Sequence, residues 1–167
     1  YDYGTSAKNY QLAAQLYQSV DSTEGHLASL LELGKAYSFS KNYAKALEIF
    51  RHYNREAIKA KDSSHIADSF MVIGLELGHM DSLEPKLVSY KKALVLYEKL
   101  GNELAKARLN NNIGNVYFDL REYDTSRSYL EKYVEIMRCY PERELELSYG
   151  LSNLGRAHIE LGDVKKA

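Results

Sequence analysis

The stretch Leu30-Leu31-Glu32-Leu33-Gly34-Lys35-Ala36-Tyr37 decides the fold, because its apolar-glycine pair returns as Ile73-Gly74, Ile113-Gly114 and Leu154-Gly155. The glycines stand 40, 40 and 41 residues apart, each inside a segment of helical periodicity. A fixed period of this size is the signature of stacked helix pairs, in which each repeat buries its apolar face only against its neighbours. Glycine inside a helix costs about 1 kcal/mol against alanine, so its recurrence implies a gain in packing: a partner helix can approach closely where no side chain stands. The alanine or serine that follows on the next helix is expected to be the small residue facing it. That next helix carries Ala46, Leu47, Phe50 and Tyr53 as one apolar stripe, with Lys45, Arg51, Arg55 and Lys59 turned to water.

Outward from this stretch, the same periodicity predicts helices over 5–19, 23–40, 43–61, 64–79, 85–100, 103–120, 123–139, 142–161 and from 164 onward. No alternating strand pattern competes. The breaks are short and polar: Asp21-Ser22-Thr23, Lys61-Asp62-Ser63-Ser64 and Gly101-Asn102 supply caps and a left-handed stop. Pro85 and Pro141 suit the first turn of a helix. One repeat breaks step, because Ala93 and Tyr97 arrive seven residues late after Gly74, and His79 to Pro85 therefore reads as an inserted loop.

The recurring residues resemble the tetratricopeptide repeat. In the first full repeat, Leu33-Gly34 is followed by Tyr37, Tyr43, Ala46 and Phe50; in the third, Ile113-Gly114 is followed by Tyr117, Tyr123, Ser126 and Leu130 at the same offsets. The fourth supplies Leu154-Gly155, His158 and Ala167, while Tyr10, Ala13 and Tyr17 look like the second helix of a repeat that lacks its first. The resemblance implies an all-α, right-handed superhelix (α-solenoid) of antiparallel helix pairs. It would form one domain over 1–167: a half repeat at 1–20, repeats at 23–62, 64–101 and 103–140, and a partial repeat at 142–167. A period of about 40 exceeds the usual 34, as in the subgroup that resembles kinesin light chains and the spindle-orientation adaptors. Opening on Tyr1 and ending on Ala167 inside a repeat, the sequence reads as a fragment of a longer protein.

Bulk composition narrows the function classes. With 22 basic against 23 acidic residues, no net charge attracts the phosphates of nucleic acid or an anionic membrane, so neither is expected as a partner. No apolar run approaches the roughly 20 residues that span a bilayer. The one cysteine, Cys139, forms no intrachain disulfide; it reads as a buried or inert helix-end residue, and the cysteine count favours cytoplasm without fixing the compartment. The five histidines follow no metal-protease spacing, and neither a phosphate loop nor a nucleophile elbow is present. Metal, cofactor and catalytic residues are all expected to be absent. The fifteen tyrosines suit packing with a wet hydroxyl.

Binding chemistry concentrates around the third glycine. Asn110, Asn111, Asn112 and Asn115 crowd a segment that must be helical, at a propensity cost of about 2 kcal/mol in all. Leu109, Ile113, Val116, Tyr117 and Leu120 share one face, and Arg108, Asn111, Asn112 and Asn115 the adjoining one. The asparagines mostly avoid the core stripe, and a solvated face or a cap would account for them as simply as a ligand. In tetratricopeptide proteins the first helix of each pair lines a groove for an extended peptide. By that resemblance, the lining here would be Arg108, Asn111, Asn112 and Asn115, then Tyr149, Ser152, Asn153 and Arg156 from the next repeat. An asparagine amide both donates and accepts, so it can pair with a peptide bond, and arginine offers a fork to carboxylate. The same offsets earlier give Lys35, then Met71, Val72 and Leu75, which with Leu31 would receive an apolar anchor unless they belong to the core. The expectation is a non-enzymatic scaffold for a protein or peptide, whose repeat ends can pair between molecules. The alternative is a sensory or regulatory repeat domain with its output domain outside this stretch.

Overall fold

The computed structural model describes residues 3–163, so the helix expected from 164 onward and Ala167 lie outside the described residues. The chain divides into two compact units, one ending at Leu96 and the other beginning at Tyr97. The first holds α1 (Tyr3–Ser19), α2 (Thr23–Phe39), α3 (Tyr43–Ala60), α4 (Ser63–His79) and most of α5 (Leu83–Leu100). The second holds the end of α5, α6 (Glu103–Asp119), α7 (Tyr123–Met137), a 3-10 turn at Pro141–Arg143 and α8 (Glu144–Glu160). No strand occurs among the described residues.

The helices end on a beat half as long as the glycine period. Asp21, Lys41, Lys61, Asp81, Gly101, Arg121 and Gly162 all adopt positive φ, between 53° and 77°. At each of these stops the following N–H reaches back five residues, as Asn42 does to the Tyr37 carbonyl at 2.9 Å and Asp62 to Ala57 at 3.1 Å. This Schellman closure satisfies carbonyls that the helix end would otherwise leave bare. The residue after the left-handed one then opens the next helix. Asn42, Asp62 and Asn102 accept from the backbone N–H three residues on, at 3.3, 3.0 and 3.1 Å. Between α7 and α8 the device is replaced by the 3-10 turn with Pro141 in its first turn.

Gly34, Gly74 and Gly114 each lie against a large side chain sixteen residues on. A Cβ at Gly34 would stand 2.2 Å from Phe50, at Gly74 2.6 Å from Tyr90, and at Gly114 2.8 Å from Leu130. The small residue expected opposite contributes its backbone instead: the Ser126 carbonyl lies 3.3 Å from the Gly114 position. Around these contacts Ala46, Leu47, Phe50, Ile73 and Leu77 form one core of the first unit, and Ala14, Leu27, Leu30, Tyr53 and Ala57 another. In the second unit Ala107, Tyr133, Val134 and Met137 are packed by Leu147 and Leu154. Gly150 admits the Tyr133 ring, whose hydroxyl donates to the Glu146 carbonyl at 2.7 Å.

The inserted loop expected at His79 to Pro85 does not exist. α4 runs to His79, three residues turn, and α5 starts at Leu83 with Pro85 in its first turn. Tyr90 therefore stands in register with Phe50 and Leu130, and Ala93 with Tyr53 and Tyr133. The register was masked because Lys86 occupies the position of Ala46 and Ser126. Gly78 makes room for it: a Cβ there would lie 2.8 Å from the Lys86 Nζ, which rests 5.8 Å from the Tyr90 ring centroid. Cys139 is exposed rather than buried.

Candidate functional site

In the second unit α6 and α8 are adjacent, and the polar residues expected to line a groove lie on both. Asn153 Nδ2 donates to Asn111 Oδ1 at 3.0 Å, tying the two helices through one amide pair. One turn beyond Asn153 on α8, the Arg156 guanidinium lies 4.4 Å from the ring centroid of Phe118, two turns beyond Asn111 on α6. A guanidinium held over an aromatic face by cation–π attraction keeps its N–H donors for a carboxylate. Arg156 and Arg108 are exposed, Asn111, Asn112, Asn115 and Asn153 are half-buried, and Tyr149 is 64% exposed. Burial pushes the Tyr133 phenol up, and Arg108 acts against that shift.

Asn110 departs from the expectation that the asparagines avoid the core, since it is 4% exposed. Its register partners are Leu30 and Phe70, so the run of asparagines includes one true core position. Asn111 and Asn153 spend one hydrogen-bonding group on each other, a bond in which Asn111 Nδ2 and Asn153 Oδ1 take no part.

In the first unit Lys35 pairs with Glu32 one turn back at 2.6 Å, Met71 is half-buried and Leu75 is exposed. Leu31 and Val72 are half-buried and pack against the Phe50 core. The structure also gathers polar groups that sequence spacing conceals. His65 Nδ1 lies 3.1 Å from Asp62 Oδ2 and Nε2 lies 3.8 Å from Glu24 Oε1, on different helices and 41 residues apart. The backbone N–H of His65 donates to the capping Asp62 and holds that carboxyl below its ordinary range. These three residues are the group whose ligand atoms converge within 4.8 Å among the described residues. The cap of α4 explains two of them, and no sequence motif marks the third.

A buried acid is the other surprise. Glu76 is 1% exposed and accepts from Ser38 Oγ at 2.7 Å through Oε1, while Oε2 has no hydrogen-bond partner among the described residues. The same register position holds Ala36, Val116 and Ala157, all buried. Burial raises the Glu76 carboxyl above its ordinary range. It also pushes the neighbouring Tyr90 phenol up to about 12, with the Glu76 charge adding to the effect. Among the described residues no helix is long and apolar enough to cross a membrane.

The family model described as tetratricopeptide repeat matches residues 27–57 and 107–136, the α2–α3 and α6–α7 pairs. BtubC (BKLC) from P. vanneervenii is a structural neighbour, with a TM-score of 0.92 at 19% identity, over 99% of this chain and 69% of that one. The nearly identical TPR-like repeats of a kinesin light chain from Podosopora anserina give 0.69 at 14% identity, over 97% of this chain and 88% of theirs. The type III secretion translocator chaperone SycD of Yersinia enterocolitica gives 0.68 at 18% identity, over 84% and 96%. No curated protein matches by sequence. With the tetratricopeptide-repeat model matching two helix pairs, a shared glycine register at Gly34, Gly74 and Gly114, and neighbours of the same architecture, the chain is an all-α array of repeated helix pairs with the tetratricopeptide-repeat fold.

Proposed function

We propose that this chain is a non-enzymatic protein-interaction scaffold, and that the α6–α8 face binds an extended peptide. The observation that carries the reading is the Asn111–Asn153 amide pair beside the stacked Arg156. It holds polar groups in fixed positions on a face that the core does not need. Preorganised donors lower the ordering cost that a bound peptide would otherwise meet. Asn112 and Asn115 stand on the same helix, and their side chains make no hydrogen bond with other described residues. Amides of that kind recognise a peptide backbone regardless of its side chains, while Arg108 and Arg156 favour acidic groups or a terminal carboxylate.

The test is selection from a random peptide library, followed by calorimetry on the selected peptide with the unaltered chain and with Asn112→Ala/Asn115→Ala. Two hydrogen bonds at about 0.5–1.5 kcal/mol each correspond to a loss of roughly five- to 150-fold. Arg156→Ala should cost acidic peptides more than neutral ones. Unchanged affinity in the double variant, with circular dichroism showing it folded, would place the binding surface elsewhere.

A further inference from the structure

We propose that the outer face of α5 in the first unit is a second docking surface, made for an acidic partner segment that carries an aliphatic anchor. Register is the starting point. Val88 occupies the position of Glu48 in α3 and Ser128 in α7, and Val95 that of Arg55 and Glu135, all four of them exposed. α3 and α7 thus turn polar side chains to water where α5 turns valines, which are 54% and 49% exposed. Spaced seven apart, the valines lie on one face of the helix. With Ile66, Phe70 and Leu96 they line an open cleft of about 560 Å³.

The rim settles which occupant fits. Lys91 and Lys92 are the charged residues of the cleft lining, and the Lys92 ammonium lies 5.2 Å from the Phe70 ring centroid, at the edge of the apolar floor. A second copy of this chain packed about a two-fold axis would bring the same lysines against each other, since such an interface is self-complementary by symmetry. An acidic segment instead meets opposite charge at the rim while its apolar side chain enters the cleft. Complementary charge of this kind sets partner choice and encounter rate, and the buried anchor supplies affinity.

The experiment titrates the 167-residue chain into three fluorescein-labelled peptides, read by anisotropy. One alternates glutamates with leucines at helical spacing, one replaces its glutamates with lysines, and one replaces its leucines with serines. The acidic leucine peptide is expected to bind about tenfold or more tightly than either counterpart, as loss of one buried leucine at roughly 1.5–3 kcal/mol implies. Val88→Ser/Val95→Arg installs residues that sister repeats carry at these positions and adds no negative charge. It should abolish the leucine preference, and Lys92→Glu should weaken the acidic peptide and strengthen the basic one. If the double variant fails to fold, Lys92→Glu and the serine peptide still decide the case. Equal binding of acidic and basic peptides, absence of binding, or indifference to the substitutions would overturn the proposal. So would a dimer in sedimentation equilibrium that Val88→Ser/Val95→Arg dissociates, which assigns the face to self-association. Cosedimentation with phosphatidylserine vesicles that the same variant loses would assign it to a membrane.

Discussion

Gly34 is the position at which the fold can be tested most directly. A methyl group there would sit 2.2 Å from Cε1 of Phe50, a ring 1% exposed with no room to turn. Overpacking of this kind costs about 1–3 kcal/mol, and a ring that cannot yield puts Gly34→Ala at the upper end. Alanine returns about 1 kcal/mol of helix propensity, leaving a net destabilisation of about 1–2 kcal/mol. For a chain of this size that corresponds to a fall in Tm of roughly 2–8 °C. Gly78→Ala is the control. Its methyl group would meet only the far end of Lys86, which can swing into solvent, so propensity should dominate and Tm should hold or rise slightly. Thermal melts followed by circular dichroism, with Phe50→Leu alone and combined with Gly34→Ala, complete a double-mutant cycle whose coupling should favour the combination by about 1 kcal/mol. A Gly34→Ala variant as stable as the unaltered chain would refute the view that the glycine register exists to admit the ring.

Three further outcomes follow from the same geometry. Glu76, whose carboxyl is raised in the folded state, keeps its proton when the unfolded chain has lost it; the folded state then binds more protons, and stability falls as pH climbs from the ordinary glutamate range through the higher folded value. Glu76→Gln should gain about 1–3 kcal/mol on the unaltered chain at alkaline pH and lose that advantage in acid, which denaturant melts across pH with His79→Gln as a second background would check. At the helix stops, Lys41→Gly and Arg121→Gly should each stabilise by about 0.5–1 kcal/mol, whereas Gly101→Ala should destabilise although nothing lies within 4 Å of its missing Cβ. Leu145 and Leu151 are exposed on α8, so light scattering should detect concentration-dependent association that Leu145→Glu/Leu151→Glu abolishes, and a strict monomer at every concentration would exclude it.

Much of the fold could be read because its strongest constraint is a residue type that stands out. A glycine inside a helix is anomalous by about 1 kcal/mol, so four of them at a fixed interval are visible without coordinates. The apolar stripe of Ala46, Leu47, Phe50 and Tyr53 was equally plain, and all four are buried. The 20-residue beat of helix stops was only partly visible, since Asp21, Lys41, Lys61, Asp81 and Arg121 are residues that seldom announce positive φ. Their conformation comes from the Schellman closure around them and not from their own preference. The second repeat misled for a related reason. Lys86 removed the small residue that marks the pattern, and the glycine that compensates, Gly78, acts across the helix pair where a one-dimensional reading does not look.

The site shows how the two kinds of position divide. At the glycine itself the repeats agree, because a large side chain sixteen residues on must fit there: Phe50 at Gly34, Tyr90 at Gly74 and Leu130 at Gly114. One residue later they carry Lys35, Leu75, Asn115 and Arg156, and that variation places an ion pair, an exposed leucine, an amide and a stacked guanidinium at equivalent points. The amides and arginines of α6 and α8 could therefore be picked out by offset alone. Their pairing could not, because Asn111 and Asn153 are 42 residues apart, one more than the interval between their glycines, and meet diagonally across neighbouring helices. The same holds for the valines on α5, which look ordinary in sequence and become unusual only when set beside Glu48, Arg55, Ser128 and Glu135 in register. In a repeat protein the constant positions carry the stacking, so departures at a fixed position are free of that duty; the faces of α5, α6 and α8 that differ from their sister repeats are where a partner's chemistry is expected to be written.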